Sequence, residues 1–169
     1  MEITKKDRVF LINQYEILKR LDPGNASSYD EKIEILTDGY EVFYSSIDEW
    51  ISEDMPASEG KLVLDVLDIY SLIQIYKRDN PEDSEVGNHS WSSFRGFDGN
   101  NETEYMAFTR FLIDRQGKFS EQAPRKDKTD NFNSHTPVVD KYHSMVQAWR
   151  SMPGKYALSR EQILTILNA

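Results

Sequence analysis

The sequence predicts an all-α protein in which about seven helices surround one central buried helix. Apolar residues recur at helical spacing along most of the 169 residues, and alternating strand patterns are scarce. The stretch from Leu62 to Tyr76 is apolar at 11 of 15 positions, which is typical of a helix buried on most sides. We see neither an internal repeat nor a clear linker, so we expect a single domain over residues 1–169.

Local signals predict where the first helix begins and ends. Thr4 is followed three residues later by Asp7, a spacing that favours a helix N-terminus. "LDPGN" (residues 21–25) ends this helix because proline and glycine do not continue it comfortably. Gln14 falls within the apolar arc of this helix.

Two more helices are expected before the central one. The second covers about residues 28–38, and Gly39 is a suitable C-terminal stop. The third covers about residues 40–52 and presents Phe43, Ile47, Trp50 and Ile51. The central helix is expected to begin after Ser58 as N-cap and to reach about Arg78.

Two long connections separate the remaining helices. Residues 80–101 lead to a fifth helix over about residues 102–116, which Gly117 closes. Residues 118–135 lead to a sixth helix, with Thr136 as N-cap and Pro137 as its first residue. Connections of this length in a compact domain are often functional.

A short seventh helix ends the chain. It starts at Ser159, and Gln162 completes the spacing of a capping box. Ile163, Ile166 and Leu167 are expected to face inward.

Composition restricts the function classes. The chain has no cysteine, so it has no disulfide framework and no thiol nucleophile. The net charge of −9 argues against a nucleic-acid partner, since an acidic surface repels phosphate backbones. We find no signal peptide and no apolar run long enough to span a bilayer. We therefore expect a cytoplasmic protein without membrane contact.

Four separated blocks resemble the YfbU family of bacterial and archaeal proteins. They are "NQYEILKRLDPGNASSY" (13–29), "GFDGNNETEY" (96–105) with Arg110–Phe111, "FNSHTPVVDKYHSM" (132–145) and "YALSREQILTILNA" (156–169). The chain departs from the family pattern in "NPEDSEVGNHSW" and "APRKDKTD". The resemblance implies an all-helical fold and self-association, and it supplies no catalytic residues. Some family members are joined to a helix-turn-helix segment, which implies a ligand-sensing or interaction role.

Asp65, Asp68 and His143 are the metal-ligand candidates. The two aspartates lie three residues apart on the central helix and therefore share a face. Paired carboxylates can bind a hard cation or divide acid and base roles. The favoured interpretation is that they form the one hydrated stripe of a buried helix. His143 falls off the apolar stripe of its own helix, so a surface histidine is the simpler interpretation.

The ligand-binding candidates are Gln14, Arg115, Asn133, Ser134 and His135. A buried Gln14 amide needs hydrogen-bond partners, and a structural tie to a neighbouring helix is the simpler role. Arg115 falls between two phenylalanines of the fifth helix and can bind an anion or form a salt bridge. The last three residues precede the sixth helix, where they can line a cleft beside its N-terminus or form an ordinary loop.

The function predicted from the sequence is a non-enzymatic ligand-binding or regulatory module. It is expected to form a homo-oligomer and to present its two long loops to a protein partner or a small ligand. No cofactor is expected. The alternative is a metal-assisted hydrolase that uses Asp65, Asp68 and a histidine, and it requires these groups to converge in one pocket.

Overall fold

A computed structural model describes residues 3–154 and 156–169. Within these residues the regular structure is helical, apart from one isolated parallel bridge between Phe97 and Asn133, so the all-α prediction is confirmed. Contacts divide the chain after Asp54 into two compact units. We call residues 3–54 the N-terminal unit and the described residues from Met55 onward the C-terminal unit. The single domain over residues 1–169 stays a prediction.

Two packed helices form most of the N-terminal unit. Helix α1 (Lys5–Leu21) begins with the predicted capping box: the Asp7 amide donates to Thr4 Oγ1 at 3.2 Å, and the Thr4 amide donates to Asp7 Oδ2 at 3.0 Å. Helix α2 (Ala26–Asp38) ends at Gly39, which adopts a left-handed φ of 74° as its predicted role requires.

The predicted third helix over residues 40–52 is wrong. This segment forms a 3₁₀ turn (Glu41–Phe43) and one helical turn, α3 (Ser45–Asp48). Among its large apolar side chains Trp50 is 77 % exposed, whereas Ile47 is buried. The core of this unit consists of Ile35, Leu36, Tyr44 and Ile47. It is too small to bury a second apolar helix face, and tertiary packing rather than periodicity decides helix formation here.

Helix α4 (Ala57–Asp79) is the central helix of the C-terminal unit, as predicted. It packs against two later helices, and its buried residues are Leu62, Val63, Asp65, Val66, Leu67, Ile69, Tyr70 and Ile73. The predicted Ser58 N-cap is wrong, because the helix begins at Ala57 and its N-cap residue is Pro56. Proline suits this end of a helix since it has no N–H to leave unpaired.

The next helices follow the predicted order with local differences. Residues 80–101 contain one short helix, α5 (Ser84–Gly87), which the sequence does not predict. Helix α6 (Thr103–Arg110) continues into a π-helical turn (Phe111–Arg115), in which the Gln116 amide donates to Phe111 O at 3.0 Å. Gly117 then ends the segment with a φ of 66°.

The last two helices, α7 (Val139–Arg150) and α8 (Arg160–Asn168), pack against each other. The predicted Ser159–Gln162 capping box is present, and the three predicted inward residues of α8 are buried. The described part of the chain contains no helix long and apolar enough to cross a membrane.

The predicted Thr136 N-cap and Pro137 first position of α7 are wrong. The helix begins at Val139, and the first amides are capped by a side chain from another element. Glu102 Oε1 accepts the Val138 and Val139 amides at 2.7 and 2.8 Å. A buried carboxylate satisfies these amides better than a threonine hydroxyl, since charge-assisted hydrogen bonds are stronger.

Candidate functional site

The two long connections, residues 80–101 (the first loop) and residues 118–135 (the second loop), meet in the C-terminal unit. The Phe97 amide donates to Phe132 O at 2.9 Å, and the Ser134 amide donates to Phe97 O at 3.0 Å. Gly96 allows this close approach: it has a φ of 83°, and a Cβ at this position would lie 1.9 Å from Phe132 O. A residue with a side chain could not occupy the position without moving one of the loops.

A buried aromatic cluster fixes the meeting point. Tyr142 of α7 lies at its centre, with ring centroids 6.0 Å from Phe94 and 5.3 Å from Phe97. Its hydroxyl donates to Gly96 O at 3.2 Å and accepts the Arg95 amide at 3.3 Å. Burial raises the pKa of the Tyr142 hydroxyl well above its usual range, so the hydroxyl stays neutral and keeps donating to the loop.

Beside this junction lies a polar cleft of about 390 Å³, which we call the loop cleft. One lining residue comes from the first loop and the others from the second: Arg95, Lys128, Thr129, Asp130, Asn133, Ser134 and His135. The structure therefore brings together three sequence-predicted candidates, Asn133, Ser134 and His135, although their ligand-binding role stays a prediction.

The Asn133 side chain connects backbone segments of both loops beside the loop cleft. Its Oδ1 accepts the Gly99 and His135 amides, both at 2.9 Å. Ser134 Oγ donates to Thr136 O at 2.7 Å, so this hydroxyl proton is already used. The His135 ring is exposed and lies with Nε2 3.4 Å from Asp130 Oδ2.

Left-handed backbone is concentrated at the loop cleft. Asp130, Asn131, Phe132 and His135 have φ values between 44° and 64°. Such conformations are uncommon for residues other than glycine, and for a bulky residue such as Phe132 they are strained. Each costs on the order of 1 kcal/mol or more, and strained residues of this kind often occur at functional sites. Burial of the Phe132 ring holds the loop in this form.

Gln14 and Arg115 do not lie in the loop cleft. Gln14 is exposed on α1, so the expected burial of its amide is wrong in this chain. Arg115 is exposed at the end of the π-helical turn and makes no ion pair with any described residue. The extra residue in this turn rotates Arg115 away from the face that ordinary helical spacing assigns to it.

Gln14 belongs to an apolar stripe on α1. Phe10, Gln14, Ile17 and Leu21 are spaced four, three and four residues apart and fall within an arc of about 60°. We call these four residues the α1 stripe. Phe10 is 66 % exposed, Ile17 52 % and Leu21 76 %. Next to it lies an apolar groove of about 410 Å³, lined among others by Phe10, Trp50 and Ile51.

The aspartates of α4 have different surroundings. Asp65 is only 6 % exposed, so it is not part of a hydrated stripe. Arg150 Nη2 donates to Asp65 Oδ2, and Lys61 Nζ lies 3.6 Å from Oδ1. Asp68 is half-buried, and burial together with the nearby Asp65 charge raises its pKa.

No metal centre is formed by these residues. His143 is exposed on α7. Across residues 3–154 and 156–169 there is no group of three or more histidine, cysteine, aspartate or glutamate side chains that could hold a metal ion. Asp65 instead forms ion pairs, which gives the hydrolase hypothesis no geometric support.

Sequence reasoning missed Arg95 and Lys128. Arg95 lies in a loop without a motif, and Lys128 lies in the second long loop, where Asp127 separates it from the basic residues Arg125 and Lys126. Arg95 is positioned by an aromatic residue: its guanidinium stacks over the Trp91 ring at 4.4 Å, and Nη2 donates to Ser90 O at 2.8 Å. The sequence signal for Arg95 is the pair of aromatic residues close before it in "WSSFR", on which an arginine can stack.

Comparison with known proteins identifies close relatives over the full length. The chain is 54 % identical to UPF0304 protein MJECS11 of Methanocaldococcus jannaschii, over 99 % of both chains. It is 34 % identical to a UPF0304 protein of Histophilus somni and 32 % identical to one of Actinobacillus succinogenes, over all of each chain. The family model of the YfbU domain matches residues 1–169. The chain therefore belongs to the YfbU family.

Proposed function

We propose that this protein is a non-enzymatic binding module of the cytoplasm that associates with a second copy of itself and has a regulatory or ligand-binding role. The observation that supports self-association is the exposed apolar surface of the N-terminal unit. Of 13 exposed large hydrophobic side chains in the described chain, ten lie in residues 3–54. Apolar surface concentrated in this way marks interaction sites.

The N-terminal unit also has a small hydrophobic core. Four residues are buried in its hydrophobic cluster. Small folding units bury a low fraction of their surface and commonly depend on association. The exposed apolar side chains of the α1 stripe and the groove are Phe10, Ile17, Leu21, Trp50 and Ile51. If each buried roughly 100 Å², the interface would bury on the order of 500 Å² on each partner, which is the size of a weak, reversible association.

The spacing of the α1 stripe favours a second copy as the partner. Residues spaced four, three and four apart form the seam by which two like helices pack. A polar residue at one seam position, here Gln14, lowers affinity and fixes the register. In an antiparallel pairing centred on Gln14, Arg20 of each copy would lie near Phe10 of the other, and Phe10 lines the same groove as Asp48.

A binding role is favoured over catalysis because Asp65, one of the two carboxylates that the hydrolase alternative needs, is engaged by Arg150 and Lys61. Absence of cysteine is compatible with the reducing interior of a cell.

Sedimentation velocity of the full chain over a range of concentrations tests the proposal. We expect a concentration-dependent dimer or larger oligomer, and Ile17→Glu and Leu21→Glu should shift it to monomer without loss of helical circular dichroism. Val42→Glu is the matched control: Val42 is 81 % exposed in the same unit but lies outside the stripe and the groove. A strictly monomeric wild type, or oligomers unaffected by both variants, would refute self-association through α1.

A further inference from the structure

We propose that the loop cleft binds a compact oxyanion, the phosphate or carboxylate group of a small molecule. The inference rests on the proposed ligand-binding role, for which it names the chemical class, and it does not depend on self-association. It starts from the hydrogen-bonding capacity that the loop cleft leaves unused.

The unused capacity of the loop cleft is mostly donor capacity. Arg95 Nη2 donates to Ser90 O, and the other guanidinium nitrogens of Arg95 donate to no described residue. Lys128 is exposed, and its ammonium forms no ion pair with any described residue. The Asn133 carbonyl oxygen is occupied by two amides, whereas its NH₂ group donates to nothing in the described chain.

Among the acceptors lining the cleft, the Thr129 hydroxyl is occupied and the Asp130 carboxylate is exposed. Thr129 Oγ1 accepts the Phe132 amide at 3.2 Å and donates to Arg125 O at 2.7 Å. The Asp130 carboxylate lies opposite the His135 ring. A ligand that complements free N–H donors and fixed positive charge must be rich in acceptors and negatively charged, which describes phosphate and carboxylate groups.

Arg95 is pre-organised for this task. Stacking on Trp91 and the bond to Ser90 O hold the guanidinium in place before a ligand arrives. A planar guanidinium with a free edge binds carboxylate and phosphate oxygens in a bidentate manner. Because its orientation is already fixed, little side-chain entropy remains to be lost on binding.

The local charge differs from that of the whole molecule. The chain carries −9 overall, and its first 60 residues carry most of the negative charge. Arg95 and Lys128 add two positive charges to one cleft, with Asp130 as the opposing carboxylate. An anionic ligand would explain why an acidic protein has two cationic side chains beside a strained loop.

Amide-resolved NMR of the full chain tests the site. Inorganic phosphate and succinate are titrated separately, at constant ionic strength, with glucose as the neutral probe. We expect saturable shifts of the Arg95 amide and of the amides of residues 128–135 with one or both anions. Saturation by phosphate alone identifies a phosphate group as the ligand feature, and saturation by both identifies a general oxyanion site.

Lys128→Gln should lower the anion affinity about fivefold or more, as expected for loss of one charge-assisted contact. Lys118→Gln is the matched control, since it removes the same charge from an exposed lysine of the same loop outside the cleft. Equal effects of the two variants would show non-specific charge attraction and overturn the site.

The outcomes separate this inference from the broader proposal. If glucose shifts the loop amides and neither anion does, the ligand class is wrong while a binding role remains. If none of the three probes shifts them, the oxyanion site is overturned. Neither result changes the expected sedimentation behaviour, because the α1 stripe and the loop cleft share no residues.

Discussion

The Glu102 carboxylate accepts the amide of Val138, 36 residues later in the chain, at 2.7 Å and thereby caps helix α7. The same carboxylate accepts the Val139 amide through Oε1 and the Asp98 amide at 2.9 Å through Oε2. One buried side chain therefore connects the start of α6, the start of α7 and the first long loop.

Glu102→Gln should destabilise the protein by about 1–3 kcal/mol, because the new amide NH₂ would face the Asp98 N–H, donor against donor. Urea unfolding followed by circular dichroism measures the change. Glu104→Gln, an exposed position on the same helix, is the control and should alter the free energy of unfolding by less than about 0.5 kcal/mol. Equal stability of Glu102→Gln and wild type would contradict the capping role.

Gly96→Ala should be among the most damaging single substitutions. The new Cβ would meet Phe132 O at 1.9 Å on a backbone with a φ of 83°. We expect a loss of about 2–4 kcal/mol or failure to fold. Gly87→Ala is the control, since its Cβ would meet nothing within 4 Å, and it should be neutral or slightly stabilising. A thermally stable Gly96→Ala protein would show that the loops meet differently.

Asp83 should make stability depend on pH. Its carboxylate accepts hydrogen bonds from Tyr76 Oη at 2.8 Å, Arg160 Nε at 2.9 Å and the Val86 amide at 3.2 Å. These donors, Tyr76 first among them, lower the pKa of Asp83.

Because the folded-state pKa of Asp83 lies below the unfolded value of about 3.9, its contribution is present above that value and is lost as pH falls through the folded pKa. Asp83→Asn should therefore be less stable than wild type at pH 7, and the difference should shrink below about pH 4. Urea unfolding at both pH values measures it. Asp127→Asn, at an exposed loop position, is the control and should change the free energy of unfolding at pH 7 by less than about 0.5 kcal/mol. If the difference in free energy of unfolding between Asp83→Asn and wild type were the same at both pH values, Asp83 would not make stability depend on pH.

Gln14→Leu should strengthen self-association about tenfold or more, because it completes an apolar seam on α1. Sedimentation velocity at several concentrations measures the dissociation constant. Thr37→Leu adds the same apolar side chain at an exposed position of α2 and should leave association unchanged. Weaker association of Gln14→Leu would mean that the amide makes a required contact between copies.

Local signals predicted the helices whose caps are local. Thr4 with Asp7, and Ser159 with Gln162, both form the capping boxes that their spacing indicates. The predicted start of α7 is wrong because its cap comes from Glu102, far away in sequence. No periodicity or spacing signal reports a carboxylate that acts across 36 residues.

The loop cleft was predictable only in part. Asn133, Ser134 and His135 were identified because they precede a helix and lie in a long loop. The sequence could not place Arg95 in the same cleft as these three residues. Its position there depends on the hydrogen bonds between Phe97 and the segment 132–134, which are tertiary contacts. The prediction of a third helix is wrong for a related reason. Trp50 and Ile51 have helical spacing, but the core of the N-terminal unit is too small for them to pack on.

The π-helical turn over Phe111–Arg115 acts as an angular spacer between α6 and the second long loop. It contains one residue more than an α-helical turn needs, so the side chains at its end are rotated by about 100° from the positions that regular helical spacing assigns. Deleting one residue here would restore an ordinary α-helical turn and would change the direction in which the second loop starts. Chain length at this point, rather than residue type, therefore sets the direction in which the second loop leaves the helix.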